Sequence, residues 1–341
     1  MARNKQLPKH LLVFRTSAMG DVAMLPHALR ALSAAYPDLK ITVATQAMFR
    51  PFFRGLDVEF LEVRTKDEHH SLCGMWRLAR EARLRGVDAV ADVHNVLRSK
   101  AFRLAMSLHG IRTATICKGR REKRRALGSG GAFVPLKHSV VRYCDVIRRL
   151  GFQFEDPQPA EKPAYENPMG EKSGRWIGYA PFSAHAGKTY PEAQSRALVA
   201  LLAARYDRVF IHGGGGAEQA FAEEMERAYP NVTATFGKLR FAGEMELIAH
   251  QDCLISMDSM AMHMASLVAT PVVSVWGATH PKLGFLGWGS SFDRALQVEM
   301  ECRPCSVFGA KPCQYGDYRC LKAVTPEMIV EKIDQILTQN A

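Results

Sequence analysis

Residues 252–281 read DCLISMDSMAMHMASLVATPVVSVWGATHP, and the succession of apolar and polar runs in that stretch decides the fold. Cys253–Ser256 is a short apolar run, the size of a buried strand. Asp258 and Ser259 turn the chain and can cap a short helix over roughly Met260–Val268. Pro271–Trp276 is a second apolar run, and Gly277 opens a polar loop. Strand, turn, helix and strand in that order form a unit of a parallel sheet. Loops that follow parallel strands gather at one edge of the sheet, where ligands bind. A helix starting after Ser259 offers unpaired backbone N–H groups and the positive end of its dipole, which suits a phosphate. His263 lies about one helical turn after Ser259 and so can face the same pocket. Local sequence leaves a plainer alternative open: an Asp-Ser helix cap and a histidine satisfied inside an apolar helix.

The same pattern recurs along the chain. Leu11–Arg15 (LLVFR) reads as the first strand and runs through TSAMGD into an apolar-periodic helix over about Val22–Ala35. Gly20 lets backbone approach a ligand closely. Asp21 falls at the carboxyl end of that strand, either as a general base or as a helix cap. Strands follow at Lys40–Thr45, Val58–Val63 and Ala89–Val93, and the last ends in Asp92, His94 and Asn95. These three are ligand-edge groups or turn formers. In the second half, a strand at Trp176–Ala180 leads into PFSAHAGKTYP, with Ser183, Gly187 and Lys188 ahead of a helix at Glu192–Arg205. The loop lacks Walker spacing, but small residues with one Lys can hold a diphosphate. Val209–His212 is the next strand, Gly213–Gly216 the turn, and Glu218 sits on the first turn of the following helix. There it opposes the dipole or reaches a ribose hydroxyl. Phe152–Gly174 holds four prolines and is the natural domain boundary. We therefore expect two doubly wound α/β domains facing across a cleft: residues 1–160, a linker at 161–174, and residues 175–341. A terminal helix opening at Thr325-Pro326-Glu327 carries an apolar stripe (Met328, Ile329, Ile333, Ile336, Leu337) that is free to pack back toward the first domain.

Composition bounds the function classes. With 341 residues, 47% of them hydrophobic and 23% charged, the chain is ordinary globular protein. It has no apolar run long enough to span a membrane as a helix. The polar start, MARNKQLPKH, is not expected to be a secretory leader, and eight cysteines without one point to a reducing cytoplasm. The net charge of +11 is uneven. Residues 1–160 hold 28 Lys and Arg against 14 Asp and Glu, whereas residues 161–341 hold 17 against 20. A basic first half suits an anionic partner: nucleic acid, an anionic membrane or a phosphorylated small substrate. Residues 118–125, KGRREKRR, concentrate six cations: Lys118, Arg120, Arg121, Lys123, Arg124 and Arg125. No aromatic is interleaved among them, which disfavours nucleic acid. Cys302, Cys305, Cys313 and Cys320 lie in C-x2-C-x7-C-x6-C spacing, which could hold a structural zinc or simply be free thiols.

Taken in order, FRTSAMGDVAMLPHAL, GKTYPEAQ, the GGGGAE turn, SMDSMAMHMAS and VWGATHP resemble glycosyltransferase family 9, the ADP-heptose:lipopolysaccharide heptosyltransferases with the GT-B fold. The resemblance covers nearly the whole chain. It implies inverting transfer of heptose from ADP-heptose to a lipopolysaccharide inner-core acceptor, an anionic glycolipid, at the cytoplasmic face of the inner membrane. It places the general base on Asp21 and the donor-binding Lys on Lys188, with Tyr190 where Trp is usual. The acid of the G-A-E turn falls on Glu218, and the D-[ST]-G-x-x-H motif on Asp258, Ser259 and His263, with Met260 in place of Gly. Ser183 joins the donor set. Asp92, His94, Asn95, Lys118, Arg120, Arg121, Arg124 and Arg125 are expected to serve the acceptor. A magnesium ion could accompany the donor diphosphate, and no nucleic acid is expected. The rivals are a GT-B transferase or epimerase using another nucleotide sugar, and a nucleic-acid or regulatory binding protein.

Overall fold

The computed structural model describes residues 6–339, so the first five residues of the polar start lie outside the described residues. The chain divides into two compact units, residues 1–118 with 139–158, and residues 119–138 with 159–341.

The first unit alternates strand and helix from the start. Strand β1 (His10–Phe14) is wholly buried and leads into α1 (Met19–Ala23) and α2 (Leu25–Ala35). The single helix expected here is broken at Met24, because Pro26 has no N–H to continue the ladder and instead starts a new helix. Strands β2 (Lys40–Thr45) and β3 (Glu59–Glu62) follow, then α3 (Leu72–Leu84), β4 (Ala89–Asp92), α4 (Leu97–Leu108) and β5 (Arg112–Thr115). All pairings are parallel, in the order β3-β2-β1-β4-β5. Helices α3 and α4 lie together on one face, where Met75, Leu78, Ala82, Phe102 and Met106 pack on Leu12, Phe14 and Val90. Strand β5 is a half-buried edge, RTAT, with no apolar alternation to announce it.

The chain then leaves this unit. Residues 119–138, including α5 (Arg120–Arg125), pack with the second unit. Gly128 N donates to Pro304 O, Leu136 N donates to Lys282 O, and the Lys123 ammonium sits 3.9 Å from the centre of the Phe285 ring. This departs from the expected first domain, which kept the basic run. Backbone bonds to the 282 and 304 loops, rather than charge, decide where the run belongs. Helix α6 (Ser139–Arg148) returns to the first unit.

The second unit repeats the plan with one more strand. Its elements are β6 (Trp176–Ala180), α7 (Glu192–Arg205), β7 (Arg208–Ile211), α8 (Ala217–Ala228), β8 (Val232–Ala234), α9 (Phe241–His250), β9 (Cys253–Met257), α10 (Met260–Leu267), β10 (Val272–Val275), β11 (Ala295–Leu296), α11 (Arg319–Lys322) and α12 (Pro326–Gln339). The sheet is parallel throughout, in the order β11-β10-β9-β6-β7-β8. Read from its first strand, this is the doubly wound order, with the strand sequence reversing between β6 and β9. In the first unit the reversal falls between β1 and β4. Ile329, Ile333, Ile336 and Leu337 of α12 belong to the second unit's core, beside Leu198, Leu202 and Ile255. Both units are thus the parallel α/β layers of the GT-B class.

Candidate functional site

Ligands of doubly wound sheets bind past the carboxyl ends of the strands that flank the reversal. In the first unit those are the turns after β1 and β4. Arg15, which closes the apolar run of β1, is 5% exposed. Burial of a guanidinium demands partners for its donors. It donates from Nε to Ser17 O (3.0 Å) and from Nη1 to Val93 O (2.5 Å), and Nη2 lies 2.5 Å from Asp21 Oδ2. Asp21 keeps 29% of its side chain exposed. Tyr143 Oη donates to the Asp21 carbonyl (3.1 Å), and its ring lies 5.5 Å from the Arg15 guanidinium. Asp21 is therefore a solvent-reachable carboxylate held in one orientation.

Past β4 the polar groups are mostly spent on one another. Asp92 is 1% exposed. One oxygen accepts from His94 N (3.0 Å) and Asn95 N (2.8 Å), the other from Arg103 (3.2 Å). Asp92 is a brace for the turn and has no free edge for an acceptor, so the turn-former alternative applies to it. Asn95 takes a left-handed conformation (φ 49°) and donates to Ile116 O, again as a turn residue. His94 does reach a cavity. Its two ring nitrogens lie 3.3 Å from the Thr16 and Ser17 hydroxyls. Burial, and then the positive charge of Arg15 and Lys118, lowers its pKa to about 3. It lines a hollow of about 550 Å³ with Thr16, Ser17, Gln46, His70 and Arg98.

In the second unit the turns after β6 and β9 supply the complementary chemistry. Lys188 Nζ lies 3.3 Å from Asp258 Oδ2, and Thr279 Oγ1 donates to the same oxygen at 2.9 Å. The loop carrying Lys188 is pinned because Thr189 Oγ1 donates toward Ser183 O and His185 O. Two glycines shape its walls. A Cβ at Gly187 would stand 2.8 Å from Ala278 Cβ, and one at Gly309 (φ +80°) would stand 2.5 Å from Lys188 Cγ. The ammonium is thus guided along a glycine-lined slot to Asp258. Ser259 is the N-cap of α10, yet its hydroxyl pairs with Ser256 Oγ (3.2 Å) and makes no cap bond. The first-turn amides of α10 are left uncapped by it, which suits an anion. Glu218 accepts from Gly214 N (2.6 Å) and so ties the glycine turn to the start of α8. His263 is 4% exposed, inside α10 rather than at its open end. Tyr190 is buried and donates to Val324 O, a core role.

The remaining expected residues fall elsewhere. Arg120, Arg121, Arg124 and Arg125 are exposed on α5 in the second unit, whereas Lys118 is the last residue of the first unit before that excursion. The four cysteines are free thiols, and among the described residues no group of three or more His, Cys, Asp or Glu is arranged to hold a metal ion. The expected zinc cage is not preformed: Cys320 is buried in the core, while the Cys305 thiol points to Ala278 O at 3.7 Å. Between them Arg303 is buried and donates to the carbonyls of Trp276, Gly277 and Thr279, which fixes the loop that presents Thr279 to Asp258. Arg15, Thr279 and Arg303 were not singled out from sequence. Only Arg15 left a signal, as a lone charge ending an apolar strand.

Known proteins resemble this chain. The model of glycosyltransferase family 9 (heptosyltransferase) matches residues 75–315. Lipooligosaccharide heptosyltransferase 2 of Campylobacter jejuni subsp. jejuni serotype O:6 is 25% identical over 210 residues, 59% of this chain and 65% of that protein. The match therefore spans just under two thirds of that relative's length. Lipopolysaccharide heptosyltransferase 1 of Escherichia coli O18:K1:H7 is 22% identical over 299 residues, 80% of this chain and 87% of that protein. The solved structure of E. coli ADP-heptose lps heptosyltransferase II superposes with a TM-score of 0.69 at 18% identity, covering 97% of this chain and 99% of that one. That likeness concerns the fold. No described helix is long and apolar enough to cross a membrane. With the family's model covering more than half of its length, the chain belongs to glycosyltransferase family 9, the heptosyltransferases.

Proposed function

We propose that this protein transfers heptose from ADP-heptose to a lipopolysaccharide inner-core acceptor, with inversion at the anomeric carbon, working from the cytoplasmic side of the inner membrane. The observation that carries the reading is the Lys188–Asp258–Thr279 set in its glycine-lined slot beside the uncapped start of α10. A fixed ammonium and a helix N-terminus at a sheet's reversal point are what a leaving diphosphate needs. In the reaction the acceptor oxygen bonds to the anomeric carbon as the bond from that carbon to the diphosphate breaks. The acceptor's proton passes to the Asp21 carboxylate, and the bonding electrons leave with ADP, whose charge Lys188 and the first-turn amides of Met260 and Ala261 offset. Ser183 and Glu218 shape the donor loops, and His263 supports α10 from within. His94 and the exposed arginines of α5, with Lys118, meet the sugar and phosphates of the acceptor. A magnesium ion riding on the donor diphosphate would offset its charge alongside Lys188.

Titration calorimetry against ADP, UDP and GDP, followed by turnover with a panel of nucleotide sugars, tests the donor. Binding of ADP alone among the three, and turnover with ADP-heptose giving the inverted linkage, is the expected result. Preference for UDP or GDP would reassign the donor, and retention of configuration would remove Asp21 from its role. Neutralising Arg120, Arg121, Arg124 and Arg125 together is expected to raise the acceptor's KM and leave ADP affinity unchanged.

A further inference from the structure

Helix α4 has two apolar faces. One is the core face of Phe102, Ala105 and Met106. The other is exposed: Leu97, Leu104 and Leu108 are 73%, 55% and 66% accessible. At about 100° per residue these three fall within a stripe roughly 40° wide and about 17 Å long on the side away from the sheet. Scattered surface leucines are ordinary, but a solvent-facing stripe over three turns is not. Helix α3 packs beside α4 on the same sheet face and adds exposed Leu72 and Trp76.

The charges around these residues are of one sign. The two helices carry Arg77, Arg80, Arg83, Arg98, Lys100 and Arg103 against one acid, Glu81, which is engaged by Arg85 at 2.7 Å. Arg103 is engaged by Asp92. Arg80, Arg83, Arg98 and Lys100 have no carboxylate partner among the described residues and are exposed. Even without the α5 excursion, the first unit's sequence holds 22 Lys and Arg against 13 Asp and Glu. Leucine and tryptophan framed by unpaired arginines complement a surface that is apolar below and anionic above.

We propose that the outer face of α3 and α4 seats this protein on an anionic lipid bilayer, with Leu104, Leu108 and Trp76 entering the headgroup layer and Arg80, Arg83 and Lys100 on lipid phosphates. The face is continuous with the hollow beyond β1 and β4, because Leu72, Leu97 and Arg98 line that hollow as well. A glycolipid lying in the same bilayer then offers its head group at the mouth of the hollow. That use of the surface rests on the proposed acceptor, whereas membrane binding itself does not.

The test is co-sedimentation of the full chain with vesicles of phosphatidylethanolamine containing phosphatidylglycerol, and with phosphatidylcholine vesicles as the uncharged comparison. The protein is expected to bind the anionic vesicles and to be released by salt. Leu104→Gln with Leu108→Gln is expected to lower the partition coefficient by about a hundredfold, roughly tenfold per leucine. Arg80→Gln with Arg83→Gln is expected to lower it about 25-fold, near fivefold for each charge. Trp176 and Trp276 are fully buried and Trp288 is partly buried against the His138 ring, so the half-exposed Trp76 is assigned the blue shift of fluorescence on anionic vesicles, and Trp76→Phe should abolish most of it. Unchanged vesicle binding in the leucine pair overturns the proposal. So does a wild-type dimer that the same pair converts to monomer, since the face would then be an interface between copies. Loss of transfer with vesicle binding intact overturns only the acceptor reading.

Discussion

The two sheets share one winding and differ in what they place past the strands that flank the reversal. In the first unit the polar groups close on each other. Arg15 takes Asp21, Asp92 braces the β4 turn, and His94 is bracketed by Thr16 and Ser17. What is left over is one oriented carboxylate, 29% exposed. In the second unit the same position is walled by glycines and holds Lys188, paired with Asp258, beside the uncapped first turn of α10. On the proposed reading, a common fold provides a proton acceptor once and an anion holder once. The difference comes from side chains in four loops and not from topology.

The sharpest way to break that comparison is at Asp21. Asp21→Asn removes the proton acceptor and keeps the shape, so kcat should fall by about 10²- to 10⁴-fold. ADP affinity, measured by calorimetry, should stay within twofold or so of wild type because no donor group changes. Near-normal turnover in this variant would leave the first edge without its assigned chemistry. The converse change is Lys188→Met. It deletes a charge-assisted contact to the diphosphate, so ADP affinity should fall by roughly 10- to 100-fold. Lys188→Arg should rescue little of this, because the lysine stem runs where even an added Cβ on Gly309 would stand 2.5 Å from it, and a guanidinium is a broader planar group than an ammonium. Full rescue would show that charge alone, and not the slot, is what the second edge supplies.

A smaller effect is expected where the first edge holds itself together. Arg15→Lys keeps the charge but cannot serve Ser17 O, Val93 O and Asp21 at once. Turnover should fall by about tenfold through misorientation of the carboxylate, with KM for the donor unchanged. A structural role alone would lower thermal stability and leave turnover per folded molecule intact, so activity is to be normalised to the folded fraction.

How much of this could be read from the chain follows from the range of the interactions involved. The strands β1, β2, β6 and β9 and the helix α12 are legible because a buried parallel strand is a bare apolar run and an amphipathic helix repeats every turn. The short edge strands β5 and β8 lack that signal, the first because it is half-solvated and the second because it is only three residues long. Asp21, Lys188 and Asp258 are legible as polar residues directly after such runs. Their partners are not: Arg15 meets Val93, Thr279 meets Asp258, and Gly309 meets Lys188 across 78, 21 and about 120 residues. The basic run misled for the same reason. Its charges are local, but its place in the second unit is set by backbone bonds to the loops around Lys282 and Pro304.

The subtlest difference between the units is how protons are linked to folding. In the first unit His94 is held neutral down to about 3, and His10 and His69 are lowered as well, burial being the main cause for all three. In the second unit His138, His212 and His280 are each lowered to about 4, again chiefly by burial. An unfolded chain protonates its histidines near pH 6.5, so below that value the unfolded state binds more protons and stability falls as pH falls. Above about pH 6.5 the contribution of these rings is fully present. Each ring should add a slope of about 1.4 kcal/mol per pH unit between roughly pH 6 and its folded value. Urea midpoints taken from pH 7 down to about 5, before carboxylates contribute strongly, measure the sum. His212→Gln keeps a polar partner for Gln251, which bonds His212 Nε2 at 2.7 Å, and should remove one ring's share of the slope. An unchanged slope would mean that His212 accepts its proton in the folded state. The second unit's interior would then be wetter than its closed core implies.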